Sequence, residues 1–292
     1  MGLIMDSGAF SAWSKGKKID FEKYIEYLHL YEDQIDLIVN LDVIPASPGV
    51  KKIPKEVIDA SAREGYKNYR RLIREGFPRE KVIHVFHQNE DFKWLEIMVE
   101  KIPYIGLSPA NDRTTKEKIR WLDNCMKYVL DEKGFPKVKF HGFAVTSHEL
   151  MRRYPWYSVD SSSWCIQAGL GDIYVPPWTR DGWDFSVPPR QIRTSQLITV
   201  PETLKNYIES LGLKIGKSEF KKVEENYELK ENERFVGKGL AKDKKIVETL
   251  VEKGIVNSHQ DRYFVNAYYI HQFEKTLPPW PWSWKKQKKK LF

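Results

Sequence analysis

The apolar positions of the first 176 residues fall into short runs separated by longer stretches with helical spacing. Runs over 2–6, 36–41, 82–87, 103–107, 138–143 and 156–160 are too short for helices and read as strands. They are apolar on both sides, as in a parallel sheet covered on both faces. Between them, Ile58, Ala62, Tyr66, Tyr69 and Ile73 recur at helical spacing, as do Ile119, Leu122, Met126 and Val129. Thr114 and Thr115, just ahead of Lys116-Glu-Lys-Ile-Arg, are placed to cap a helix. This alternation predicts an α/β fold of right-handed βαβ units. Six strands are legible, short of the eight of a closed barrel, and residues 172–176 are a candidate for one more.

The pattern then changes. Residues 177–200, rich in Pro, Trp and Arg, predict irregular backbone. Residues 201–256 are highly charged and predict a small helical insertion, whose first helix runs from Pro201 to a stop at Gly212. A helix over Asp261–Lys275 is expected to return to the core through Phe264, Ala267 and Tyr268. The expected organisation is therefore a barrel core over 1–176, an irregular segment with a helical insertion over 177–256, and a returning helix with a basic aromatic tail over 257–292.

A net charge of +8 adds a preference for polyanions. The segment Trp280–Phe292 mixes three tryptophans with five lysines, including Lys285 and Lys286, a combination that can grip phosphates and stack on bases. Arg180, Arg190 and Arg193 are further candidates for nucleic-acid contact. Cys125 and Cys165 lie in no zinc-type cluster and predict no disulfide framework, which fits a reducing compartment. No signal peptide and no apolar run of membrane-spanning length are legible, so a soluble cytoplasmic protein without membrane contact is expected (host cytoplasm if viral).

Chemistry concentrates where the strands end. Asp6, Asp42 and Asp160 each close an apolar run, and carboxylates at the C-terminal ends of parallel strands share one crevice. Asp6-Ser7-Gly8 puts an acid on a turn where Ser7 and the Gly8 amide can approach a substrate. Asp42 can accept hydrogen bonds from the N–H groups of a base. In Ile83-His-Val-Phe-His-Gln88, His87 or Gln88 can bond a heterocycle. His84 and His87, three residues apart on a strand, face opposite sides and make a poor metal pair. Gly106 and the His141-Gly-Phe143 junction can receive a planar ligand, with Phe143 stacking on it. Asp160, followed by small hydroxyl residues, can present a carboxylate to an electrophilic sugar carbon.

In this order the segments resemble the tRNA-guanine transglycosylase superfamily. Asp6-Ser-Gly-Ala-Phe-Ser is similar to that family's Asp-Ser-Gly-Gly-Phe-Gln motif. Ile35–Pro45 resembles its strand with the second base-binding aspartate, and His84-Val-Phe-His-Gln88 its strand ending in a base-binding Gln. Tyr104-Ile-Gly-Leu-Ser108 resembles its Gly-Gly-Leu loop, and His141–Leu150 its Gly-Val-Gly-Thr-Pro-Glu-Asp-Leu stretch. Tyr157–Trp164 is similar to the archaeal Phe-Asp-Ser-Ala-Ser-Tyr segment that carries the nucleophile. The family's Cys-x-Cys-x-x-Cys…His zinc site is absent here, as are its added RNA-binding domain and the strands ahead of the first motif. The compact form resembles phage and bacterial DNA-guanine transglycosylases, which insert 7-deazaguanines into DNA.

The resemblance implies a (β/α)8 TIM-type barrel, modified or incomplete. It implies exchange of guanine in DNA for a base such as 7-cyano-7-deazaguanine, with Asp160 as nucleophile and Asp6 as general base. Ser7, Asp42, His87, Gln88, Gly106 and Phe143 would hold the base, without metal or cofactor. A tRNA-guanine transglycosylase is the nearest alternative. A non-catalytic nucleic-acid-binding subunit is a second, and a metal-dependent barrel hydrolase a third.

Overall fold

A computed structural model describes residues 2–46, 50, 52–110, 112–194, 201–238 and 244–285. The chain divides into two units, residues 1–161 with 278–292 and residues 162–277.

The first unit follows the apolar pattern closely. Its strands are β1 (Ile4–Met5), β2 (Leu37–Val39), β3 (Val82–His87), β4 (Tyr104–Ser108), β5 (Lys139–Gly142) and β6 (Ser158–Val159). They form one parallel sheet in the order β1-β2-β3-β4-β5-β6. Between them run α1 (Ala9–Ser14), α2 (Phe21–Leu30), α3 (Lys55–Arg74), α4 (Phe92–Lys101), α5 (Thr115–Val129) and α6 (His148–Arg153). Helix starts are written in the sequence: Asp20, Asp91 and Ser147 accept from the first-turn amides of α2, α4 and α6. Thr114 and Glu117 form a reciprocal capping box at the start of α5, so Thr115 is the first helical residue rather than a second cap. Thr114→Ala should lower stability by about 1 kcal/mol, read as a melting point a few degrees lower with unchanged secondary structure.

Strand alternation sorts the side chains. On β3, Phe86 points to the helices and meets Phe92 of α4 and Trp121 of α5, with ring centroids 5.6 and 5.9 Å away. His84 faces the same side and lies against Tyr66 and Tyr69 of α3. Burial pushes the His84 imidazole down to about pKa 3, so it is neutral, and its Nδ1 lies 3.1 Å from Asn40 Nδ2. Leu72, Leu95, Leu122, Met126 and Phe140 complete this core. Ile83, Val85 and His87 face the other way.

The sheet curls. Five inter-strand steps of about 4.8 Å would hold β1 and β6 roughly 24 Å apart if it were flat. Yet the charge of Asp160, just past β6, raises the pKa of Asp6, just past β1. A charge acts this way only on a near neighbour, so the two edges of the curled sheet approach each other.

The aromatic part of the tail belongs to this unit. Trp280 donates from Nε1 to Pro155 O at 3.1 Å and meets Tyr157 edge-on, while Trp284 stacks on Tyr154. These contacts lie at the N-terminal ends of β4, β5 and β6, opposite the three aspartates.

The second unit departs from expectation. Residues 172–176 do supply a strand, β7 (Asp172–Val175), but it pairs antiparallel with β10 (Arg190–Arg193) and adds nothing to the parallel sheet. Between them lies a hairpin of β8 (Trp178–Thr179) and β9 (Gly182–Trp183). The predicted helical insertion is only partly helical. After α7 (Ser163–Gly169), the helix α8 (Glu202–Ser210) ends ahead of Gly212, whose φ of 72° is the left-handed conformation that stops a helix. The rest is an antiparallel sheet of β11 (Lys217–Glu224), β12 (Glu233–Lys238) and β13 (Lys244–Glu252), ordered β11-β13-β12.

The last helix, α9 (His259–Glu274), buries Arg262, Val265, Asn266, Tyr269 and Phe273, not Phe264, Ala267 and Tyr268. Its inner face is part polar for a reason. Arg262 donates to the carbonyls of Ala168 and Ile255, and Asn266 bonds the backbone of Trp164, Asp172 and Tyr174. α9 therefore serves the core of Ile173, Val175, Leu204, Tyr207, Ile208 and Ile255 inside the second unit. Among the described residues no helix is long and apolar enough to cross a membrane.

Candidate active site

Three polar groups gather at the C-terminal ends of the six strands. The first is Asp6, on the turn between β1 and α1. Gly8 adopts φ 72°, and Ser7, which is buried, accepts from Ala9 N at 3.4 Å. Asp6 is an exposed residue, and the partial desolvation of its carboxyl raises its pKa. Amide hydrogen bonds from Gly8 and Ser7 oppose this, and the charges of Asp42 and Asp160 add to it.

The second group joins β2 to β3. Asp42 Oδ2 lies 2.6 Å from His87 Nε2, with both side chains largely shielded. Burial disfavours the His87 imidazolium, but the hydrogen bond and charge of Asp42, with the charge of Glu90, outweigh it and bring its pKa up to about 9. Glu90 is itself buried, and desolvation lifts its carboxyl to about 7 despite the attraction of His87. A left-handed Asn89 (φ 89°), a residue type that tolerates this conformation, turns the chain so that Glu90 comes back beside His87. Gln88 is tied elsewhere: its Oε1 accepts from Ala110 N at 2.9 Å in the loop after β4.

The third group spans β4, β5 and β6. Asp160 Oδ1 lies 3.3 Å from His141 Nε2 and accepts from Ala144 N at 3.1 Å. Ala144 holds φ 54°, a strained value for a residue with a Cβ. The other nitrogen of His141, Nδ1, is 2.6 Å from Ser158 Oγ, which is 2.5 Å from Tyr104 OH. The Asp160 side chain is 58% exposed while that of His141 is 2% exposed, so an open carboxylate is anchored from beneath by a sealed imidazole. Phe143 packs edge-on against His141 at 4.4 Å and fills the space where a Cβ on Gly106 would stand. The glycine thus makes room for the ring rather than for a ligand.

The chain matches no family model, no curated protein and no solved structure.

Of the sequence-predicted residues, Asp42 and Asp160 both come near enough to Asp6 for their charges to raise its pKa, and His87 joins Asp42 directly. Ser7, Gln88 and Phe143 lie on the turns of the same rim, whereas Gly106 is the buried middle residue of β4. His141, Ser158 and Glu90 went unassigned by sequence reasoning. The sequence carries a signal for Ser158 alone, which shares one strand face with Asp160; its pairing with His141 is visible only in the sheet register.

The nucleic-acid candidates divide differently. Arg193 is committed to the buried Asp172 through bonds of 2.8 and 3.0 Å, while Arg180 and Arg190 are exposed. Lys285 is exposed, and Lys286 lies outside the described residues. A groove of about 260 Å³, lined among others by Pro103, Tyr104, Lys137, Lys139 and Trp280, sits at the N-terminal ends of the strands. In parallel α/β folds that end carries stability and the carboxylate end carries chemistry. Among the described residues no three His, Cys, Asp or Glu side chains gather so as to hold a metal ion.

Proposed function

We propose that this protein is a base-exchanging glycosyltransferase that replaces guanine in DNA by a 7-deazaguanine through a covalent aspartyl-sugar intermediate. The observation that carries the reading is the approach of two exposed carboxylates, Asp6 and Asp160, from the two edges of the sheet. Asp160 is open and fed by N–H donors, as a nucleophile requires. Asp6 has its pKa raised by burial and by two neighbouring acids, as an acid–base group requires. Six strands paired in chain order are also what the first six units of a (β/α)8 barrel would give.

The chemistry balances on these two residues. A carboxylate oxygen of Asp160 bonds to C1′ as the C1′–N9 bond breaks. The departing electron pair on N9 takes a proton from Asp6, and guanine leaves. The incoming base gives its N9 proton back to Asp6, and its nitrogen bonds to C1′ as the C1′–Asp160 bond breaks. Two inversions give net retention, the logic of retaining glycosidases. Asp42 keeps Oδ1 for the N–H edge of the base while His87 holds Oδ2. Gln88, whose Oε1 is held by Ala110 N, would offer only its Nε2 to the ring, and Phe143 only the face turned away from His141. A duplex hides both C1′ and the base edge, so the target nucleotide would be turned out of the stack.

Purified protein incubated with radiolabelled guanine or 7-cyano-7-deazaguanine should label DNA and not tRNA. Label in tRNA alone would replace the DNA reading by the tRNA one. Label in neither would remove the enzyme reading in favour of a binding-only protein.

A further inference from the structure

The three residues beneath Asp160 form a chain with a direction. Tyr104 is fully buried on β4, and burial pushes its phenol up to about pKa 12, so it keeps its proton and can donate. Its nearest partner is Ser158 Oγ at 2.5 Å. A serine oxygen that accepts from a phenol has its own proton free to donate, and His141 Nδ1 stands 2.6 Å away. In that order Nδ1 is the acceptor and the ring carries its hydrogen on Nε2, which faces Asp160 Oδ1 at 3.3 Å. The reverse order would turn a lone pair of the imidazole toward a carboxylate.

Both donors to Asp160, His141 Nε2 and Ala144 N, end on the same oxygen, Oδ1. Among the described residues Oδ2 has no hydrogen-bond partner. A carboxylate pinned by one oxygen offers the other in a fixed direction. Ala144 reaches its position only with strained backbone, and His141 only because β5 and β6 pair in register through it. Phe143 packs against the imidazole in the space that Gly106 leaves, and the His141 side chain is 2% exposed.

We propose that His141 is a positioning residue for Asp160, that Ser158 and Tyr104 fix its Nε2–H tautomer, and that Oδ2 is the oxygen that attacks the sugar. The last clause rests on the base-exchange reading, whereas the tautomer and the hold on Asp160 do not.

Two measurements separate them. Long-range proton–nitrogen NMR of histidine-labelled protein should find the His141 proton on Nε2, and Tyr104→Phe should mix the tautomers without disturbing the fold. A proton on Nδ1 overturns the proposal whatever the protein catalyses. Single-turnover formation of the covalent sugar adduct is the second readout. Glutamine can put an N–H where Nε2 stands and asparagine cannot. His141→Asn should therefore slow adduct formation by about 10–100-fold, the range usual when an orienting partner is lost, with the KM for DNA unchanged. His141→Gln should recover most of that loss. Equal rates for both variants, or a wild-type rate for His141→Asn, overturn the positioning role. Should His141→Asn fail to fold, Tyr104→Phe takes its place: a severalfold slower adduct step is expected, and a wild-type rate overturns the role. Absence of exchange by wild-type protein carrying the Nε2–H tautomer would instead remove the base-exchange reading and leave the anchored carboxylate standing.

Discussion

Asp160→Asn should abolish base exchange while leaving the protein folded and able to bind DNA. The side chains are nearly isosteric, and the amide oxygen can still accept from Ala144 N and His141 Nε2. The substitution removes only the negative charge and the nucleophilic lone pairs. Loss of a covalent nucleophile typically lowers turnover by on the order of 10⁴-fold or more. Adduct trapping should vanish, and the melting point should stay within a degree or so, because an open carboxylate contributes little to stability. Asp6→Asn should behave differently. On the proposed mechanism it removes the group that gives a proton in one half-reaction and takes one in the other, so the bell-shaped pH profile which that mechanism implies should flatten along with the rate. Full exchange by Asp160→Asn would end the assignment of the nucleophile.

The second large effect concerns Glu90, which the sequence does not single out. Its carboxyl titrates near 7 in the folded protein against 4.5 when unhindered, so folding favours the protonated form. Below pH 4.5 both folded and unfolded chains carry the proton, and nothing is lost. As pH rises toward 7 the unfolded chain ionises first, and the folded state loses stability until Glu90 ionises too. The accumulated penalty is on the order of 3 kcal/mol at most. Gln resembles the protonated acid and escapes it. Glu90→Gln should match wild type near pH 4 and be more stable at pH 8, by 1–3 kcal/mol as an order of magnitude. Some of that gain is offset because Glu90 also supports the raised pKa of His87. The His87 contribution has the opposite sign: it is complete below about 6.5 and fades as pH climbs through about 9. Urea unfolding of both proteins across this range decides the matter, and parallel stability curves would refute it.

Much of the first unit was legible because its physics is local. Buried parallel strands need consecutive apolar residues, so the six runs stood out, though β1 and β6 shrink to Ile4–Met5 and Ser158–Val159. The carboxylates were legible for the same reason, as each interrupts a run at its end. The second unit failed where burial is one-sided or polar. Lys217–Glu224 buries little beyond Val223, so its Lys and Glu residues read as a charged helix when they belong to a strand. The inner face of α9 contains Arg262 and Asn266, which no search for apolar spacing would select. Lys221, paired with Glu233 at 2.7 Å, likewise joins positions twelve residues apart that only sheet pairing brings together. Partnerships across strands, such as Ser158 with His141 or Asp42 with His87, depend on register and stay hidden until it is known.

The curl of the sheet gives the site an unusual dependence. Asp6 rides on one rim and Asp160 on the other, so the gap between them is no property of either loop. It is the running total of five strand-to-strand rotations, each combining the strands' own right-handed twist with the packing of the helices behind them. Errors in such a total add up. A modest repacking behind β3 or β4, well away from either acid, would move the two carboxylates relative to each other more than it moves any neighbouring pair of residues. The spacing of these two groups is therefore a gauge of the whole unit, and the approach of the two acids is set from the core.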